Sequence, residues 1–494
     1  MHAAAAALLV PYLLASSALA EPVHLPLRHK LRYDDEHDYG LGKRDSQRTG
    51  IAAWGADAVY SVPITFGTPY QMLDLVLDST LINTYVFENT CLTCAGYMTF
   101  EVNKSTTWVP SDVNPIAGSG DVGTDVVGVW LLPGQNTNYT FGAVNTTVYA
   151  DLPKGFVLPP NLTVSGNLGM GPTPANGSHH NPLLYNLAQN WTDKVYGVKL
   201  DRTRYSFNDN IFANTEIPGG ILTLGGVDNS VLASNISFLP VVNISHSYQV
   251  WAVPLDGINI AGVPVRAVQT QPLVAFPDMV GQAIIGTHAV VGELYSHVPG
   301  ALLLKSGWNS TVWSANAWVF PASSIGIGTD TNGTTPKASI GLEIILGGKA
   351  YPVADVDFAI KLITPSELIS RWGATQAQAA AAPLWVIGGV QELEPWPRGL
   401  PIGFGLGLSF LRNVYTAYRF SPDSVGFGHL TYDAGAPVVM GPGTPRNISD
   451  VQPSSPSGAQ ATPSSTAKAS KGATKRANVI FGLVAAAVAV WIAV

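Results

Sequence analysis

The chain is a succession of short apolar runs broken by Gly, Pro, Asn and Asp. VYSVPITFG, LDLVLD, TDVVGVWLL, GGILTLGG, QVWAVPLDGINIAG and VYTAYRFS each place strand-forming residues between turn formers. Two segments keep a helical period: PLLYNLAQN (182–190) and TPSELISRW (364–372). The second opens Thr364-Pro365-Ser366-Glu367, with Pro in the first turn, a sound helix start. The body between about Trp54 and Leu430 is therefore predicted to be all-β, in one large or two medium units.

The pattern also repeats. LDLVLDSTLINTYV reaches Asp78, and QPLVAFPDMVGQAII reaches Asp278, 200 positions later. Each is followed by an apolar-Gly segment, GNLGMG (166–171) and GFGLGLSFLRNVY (403–415). A carboxylate at the end of a buried strand is costly unless it has partners or a task. Two similar lobes, each bringing one Asp, would set two carboxylates face to face across a cleft. Pro277 is unusual in a central strand, which leaves a plain turn role open for Asp278.

Composition narrows the class. The 494 residues are only 12% charged and include 50 Gly and 36 Pro, which suits a turn-rich β protein and argues against coiled coil. A net charge of −7 without a Lys/Arg stripe argues against a nucleic-acid partner. Cys91 and Cys94 are the only cysteines. In an oxidising compartment they most simply form one small-loop disulfide, whereas a redox-active pair would want a surrounding βαβ pattern. Two cysteines make no cysteine-rich zinc site, and no cofactor is expected.

The ends suggest a secretory route. Residues 1–20 carry an Ala/Leu core finishing in Ala-Leu-Ala, the form of a signal peptide, with an N-terminal membrane anchor as the alternative. Residues 21–44 are charged and close on the dibasic Lys43-Arg44, which reads as a pro-segment or as a disordered arm. Residues 441–474 are rich in Ser, Thr, Pro, Ala and Gly, a stalk composition. The final run Val479–Val494 follows Lys475 and Arg476 and rises only about 24 Å as a helix. Residues 475–494 thus match a GPI-attachment signal, with Ser465, Ser470 and Gly472 as candidate sites and a retained single-pass helix as the alternative. Asn-x-Ser/Thr sequons at Asn103, Asn138, Asn145, Asn161, Asn176, Asn190, Asn235, Asn243, Asn309, Asn332 and Asn447 mark expected surface loops.

The chain resembles the pepsin-like aspartic proteases over nearly the whole body. YSVPITFGTPYQMLDLVLD looks like that family's opening strands, with Gly67-Thr68-Pro69 and Gln71 in the usual places. FEVNKSTTW (100–108) resembles its Ser-Thr segment, and GGILTLGGVD (219–228) the strand closing the first lobe. SFLRNVYTAYRFSPDSVGFG (409–428) is similar to its Phe-Leu-Arg helix and final strands. The resemblance implies a bilobed fold with lobes at 45–240 and 241–440, a peptide in the cleft, a monomer, and Asp78 and Asp278 as the catalytic pair. In that family the two Asp share one proton, one activating water while the other protonates the scissile carbonyl. Each sits in an Asp-Thr-Gly turn whose Thr locks one loop to the other.

Both turns depart from that form. The first reads Asp78-Ser79-Thr80 and the second Asp278-Met279-Val280. If the glycine positions exclude a Cβ, each replacement strains its turn by roughly 1–3 kcal/mol. The expected flap, IAGSGDVG (116–123), has Ala117 in place of Tyr, and Leu408 stands where an acidic residue is usual after Leu-Gly. The pattern fits a surface-anchored protein that keeps the cleft, for peptide or cell-wall ligands, with hydrolysis impaired or lost. The alternative is an active endopeptidase with an atypical Asp-Ser-Thr/Asp-Met-Val pair.

Overall fold

Strands dominate, as the apolar runs predict. The computed structural model describes residues 22–31, 58–89, 98–110, 121–130, 140–150, 164–172, 183–201, 217–242, 250–266, 273–305, 316–325, 340–392 and 403–431. The first half contributes β1 (Val23–Leu31), β2 (Ala58–Phe66), β3 (Gln71–Asp78), β4 (Tyr85–Val86), β5 (Val109–Pro110), β6 (Asp121–Trp130), β7 (Thr140–Ala150), β8 (Gly166–Gly169), β9 (Val195–Leu200), β10 (Ile217–Leu224) and β11 (Ser237–Pro240). The second half opens with β12 (Val253–Leu255), β13 (Gly257–Ile260), β14 (Val263–Pro264), β15 (Leu273–Pro277), β16 (Ile284–Gly286), β17 (Leu302–Lys305) and β18 (Asn316–Pro321). It continues with β19 (Leu342–Leu346), β20 (Lys349–Val353), β21 (Ala359–Ile363), β22 (Trp385–Gly388), β23 (Val390–Glu392), β24 (Gly403–Leu406), β25 (Val414–Phe420) and β26 (Asp423–His429).

Among the described residues thirteen strands form one sheet, in the order β11-β26-β25-β9-β10-β1-β2-β3-β8-β4-β7-β6-β5. β25 and β26 come from the second half of the sequence, so this sheet joins strands of both halves of the bilobed fold. Three smaller sheets complete the second half, the site-bearing one ordered β12-β15-β24-β16-β23. Burial follows position. β24 is buried at every residue, whereas β19 alternates buried and half-buried positions because one face of its sheet is open.

Both expected helices form, at Leu183–Ala188 and Pro365–Trp372. In the second, Thr364 accepts from the Glu367 amide and Glu367 returns a bond to the Thr364 amide, while Gly373 ends it with φ 66°.

β1 lies inside the segment expected to be a pro-segment. It nevertheless sits mid-sheet, pairing with β10 along Val23–His29 and with β2 along Arg28–Leu31. Leu25 and Leu27 are buried in the main core.

Of the expected glycosylation sites, Asn103, Asn190 and Asn235 are exposed, and Asn145 lies on β7. Asn138, Asn161, Asn176, Asn243, Asn309, Asn332, Asn447, Cys91, Cys94 and Ala117 lie outside the described residues. So do the expected signal segment, stalk and hydrophobic tail.

Candidate active site

β3 is buried from Leu73 onward and ends on Asp78, which is 2% exposed. β15 ends on Pro277, immediately before Asp278, which is 5% exposed. Each strand has a parallel neighbour that brings a glycine beside the acid. β3 pairs with β8 so that Asp78 faces Gly169, and β15 pairs with β24 so that Pro277 faces Leu406, one residue before Gly407. A Cβ on Gly169 would lie 2.3 Å from the Asn83 carbonyl, and one on Gly407 would lie 2.1 Å from the Ala283 carbonyl. Asn83 and Ala283 each stand five residues after their Asp. The sequence echo is thus a local two-fold relation in space, with glycine required at equivalent close approaches.

The carboxylates follow the same symmetry. Asp78 Oδ1 accepts the Thr80 amide at 3.0 Å and the Leu81 amide at 3.2 Å. Asp278 Oδ1 accepts the Val280 amide at 3.0 Å and the Gly281 amide at 2.9 Å. Pro277 fits because it closes its strand; the next amide, that of Asp278, donates to the Leu406 carbonyl at 3.0 Å.

One side chain joins the two turns. Ser79 Oγ donates to the Pro277 carbonyl at 2.8 Å and accepts the Met279 amide at 3.1 Å. Asp278 is therefore bracketed by two residues bonded to the neighbour of Asp78. Met279 is buried and has no hydroxyl with which to reciprocate, so the joint is built from the first turn alone.

The strain expected at Thr80 and Val280 does not arise. Among the described non-glycine residues a positive φ occurs at Ala261, not at either turn. Thr80 instead adds a bond, its hydroxyl donating to Asp78 Oδ1 at 2.7 Å. The position that excludes a side chain is one residue later in the second turn: a Cβ on Gly281 would lie 2.4 Å from Asp278 Oδ2.

A fourth donor reaches Asp78 from β8. Asn167, opposite Val76 in the parallel ladder, donates through Nδ2 to Asp78 Oδ2 at 3.0 Å. The apolar-Gly pattern of GNLGMG does not by itself mark this Asn as a site residue. A polar residue inside an otherwise apolar-Gly strand was the available signal.

Support comes from below. The Met170 amide donates to the Asp78 carbonyl at 2.9 Å. The Met170 carbonyl in turn accepts from the Tyr196 hydroxyl and, at 2.6 Å, from the Trp251 indole. Tyr196 stacks on Tyr418 of β25 with ring centroids 4.8 Å apart. Behind the second turn, Arg412 donates to Tyr60 Oη at 2.9 Å and to Gln282 Oε1 at 3.5 Å, tying β2 to the Asp278 loop. Leu408, expected as a departure from an acidic residue, is fully buried at the start of the helix Leu408–Leu411.

Burial raises both acids. Asp278 is pushed up to about 6, chiefly by loss of water, with the Asp78 charge adding to the rise. Asp78 is also raised by burial, opposed by its bonds to Thr80, Asn167 and Leu81. Near pH 5 the pair therefore holds a proton that two exposed carboxylates would have released.

The model of the eukaryotic aspartyl protease family matches residues 59–390, more than half of the chain. Major aspartyl peptidase 1 of Cryptococcus neoformans var. grubii is 26% identical over 427 residues, covering 81% of this chain and 76% of that protein. The aspartic-type endopeptidase ctsD of Aspergillus fumigatus is 22% identical, covering 78% and 68%. The aspartic proteinase from Irpex lacteus superposes with a TM-score of 0.52 at 15% identity, over 83% of this chain and 98% of that one.

Proposed function

The chain belongs to the eukaryotic aspartyl protease family, and from that premise we propose that it is an acid-acting endopeptidase working through Asp78 and Asp278. The observation that carries this reading is the pair of hydrogen bonds that Ser79 Oγ makes, one to the Pro277 carbonyl and one from the Met279 amide, which holds the two acid turns together. The amides two and three residues after each acid still donate to it. The replaced glycines thus leave the carboxylates oriented, and orientation is what the chemistry requires.

In the reaction the ionised acid takes a proton from water as its oxygen attacks the peptide carbonyl carbon. The protonated acid gives its proton to the carbonyl oxygen. The resulting gem-diol collapses, the C–N bond breaks, and the leaving nitrogen takes a proton from the pair.

A second reading, a cleft that binds peptides without cutting them, is favoured by Met279, which leaves the joint between the turns one-sided. One assay separates the two: hydrolysis of an unfolded protein at pH 3–5 by the wild type, Asp78→Asn and Asp278→Asn. Hydrolysis lost in both variants supports the peptidase. No difference from the variants, with retained binding of a transition-state-mimicking peptide, supports the binder.

We further propose display at the cell surface through a lipid anchor, on the sequence of the Ser/Thr-rich segment and apolar tail. Release by a phospholipase that cuts such anchors is the expected result. A peptide containing Trp491 recovered from the mature membrane fraction would overturn it.

A further inference from the structure

The local two-fold relation that matches the Asp turns fails not only at Ser79/Met279 and Thr80/Val280 but also behind the turns, where the failure sits on the second carboxylate oxygen of Asp78. Asn167 lies two residues before Gly169, and its equivalent two residues before Gly407 is Gly405. Asn167 Nδ2 donates to Asp78 Oδ2 at 3.0 Å, whereas Gly405 has no side chain to offer Asp278. Asp78 thus accepts four bonds: two backbone amides and the Thr80 hydroxyl on Oδ1, and the Asn167 amide on Oδ2. Asp278 accepts two, both on Oδ1, and no described residue donates to its Oδ2.

We propose that Asn167 is a positioning residue that holds Asp78 as the carboxylate, so that Asp78 is the base toward water and Asp278 carries the shared proton. This rests on the peptidase reading given above. Donors to a carboxylate favour its charged form, and an amide N–H₂ cannot accept the proton of a carboxylic acid. Two adjoining acids that share one proton place it where fewer donors compete, here on Asp278. The bond also fixes the plane of the Asp78 carboxylate, because one oxygen is held by its own turn and the other by β8.

Among the described residues the other ionisable groups around the pair are few. The turn 79–82 and β8 bring none; β4 brings Tyr85, and the second turn brings Asp278 itself. Beneath it, Tyr418 on β25 feels the Asp278 charge, and Arg412 stands behind the loop on Gln282. None of these distinguishes Asp78 from Asp278 by a direct bond as Asn167 does.

The test is a titration of the two buried carboxyls by carbon NMR in protein labelled at the Asp side-chain carboxyl. Asp78→Asn and Asp278→Asn assign the two signals, and Asn167→Leu removes the donor at similar volume. The Asp78 transition is expected to move up by about one pH unit in Asn167→Leu, the size of one lost hydrogen bond to the anion. The acid limb of the hydrolysis profile is expected to move with it, and Asn167→Ser, which keeps a donor, to recover part of both shifts. Asn167→Ser also serves where the Leu variant does not fold. Titrations that stay in place in both variants, whatever happens to turnover or melting temperature, overturn the proposal. Because the titration is read without turnover, a protein that cuts nothing would sink the peptidase reading while the NMR result still decides the role of Asn167.

Discussion

Ser79 Oγ accepts the Met279 amide at 3.1 Å while donating to the Pro277 carbonyl at 2.8 Å, so a single hydroxyl spans the two halves of the pair. Ser79→Ala leaves a buried carbonyl and a buried amide without their partner, which costs about 2 kcal/mol or more. The same change frees the second turn to drift, and small misplacement of a reacting group is worth about tenfold to a hundredfold in rate. The expected outcome is a lower melting temperature together with a larger loss of acid hydrolysis, and Ser79→Thr should restore much of both. A melting curve and a rate unchanged in Ser79→Ala would show that packing alone aligns the turns.

The buried Asp278 predicts a stability that depends on pH. Its carboxyl is raised from 3.8 to about 6 in the folded chain, so between those values the folded state binds more protons than the unfolded one. Stability then falls as pH rises through that window, by on the order of 3 kcal/mol for a shift of this size. Asp78 is shifted in the same direction and adds to the trend. Asp278→Asn should flatten the loss, leaving the variant more stable than wild type near pH 7 and little changed near pH 4. Urea unfolding at the two pH values checks this, and a wild type that gains stability from pH 4 to 6 through this group would contradict it.

The two acid turns respond differently to substitution. Gly281→Ala would put a Cβ 2.4 Å from Asp278 Oδ2, and neither the short Asp side chain nor the hydrogen-bonded turn has slack to yield. Thr80→Gly only removes the hydroxyl on Asp78 Oδ1, leaving the two amides in place. Hydrolysis should therefore drop by about a hundredfold or more in Gly281→Ala and by about tenfold or less in Thr80→Gly. Equal losses would mean that the Thr80 hydroxyl on Asp78 matters as much as the fit around Gly281.

What was legible in the sequence were features carried by local pattern. Apolar runs ending on Asp78 and Asp278, with matching apolar-Gly segments behind them, gave the strand-turn units and their pairing across the lobes. The helical period of TPSELISRW with Pro in its first turn marked that helix. What escaped depends on register and dihedral angle. Asn167 meets Asp78 only because β8 runs parallel to β3 with Asn167 opposite Val76, a non-local pairing that no window of sequence contains. The second turn's critical glycine is Gly281, not position 280, because the turn keeps Val280 out of the left-handed region. Charge concealed β1. His, Lys and Arg around Leu25 and Leu27 gave the stretch the character of a processed segment, while those two leucines are buried in the core.

That strand gives the last prediction. β1 fills the space between β10 and β2, and both neighbours donate and accept along it. Removing it would leave two strand edges unpaired in the middle of a sheet and would uncover the sites of Leu25 and Leu27, each worth roughly 2 kcal/mol in burial. Cleavage after Arg44 breaks the covalent link without touching these contacts. The expected product is therefore a two-chain protein in which the piece containing residues 22–31 stays bound under native conditions and separates in denaturant. Size exclusion followed by intact-mass measurement reads this directly. Leu25→Asp with Leu27→Asp should release the piece after the same cut and lower the melting temperature. If the cut chain beginning at residue 45 elutes alone with an undiminished melting temperature, a following segment has taken the place of β1, and the strand is a temporary occupant of the sheet.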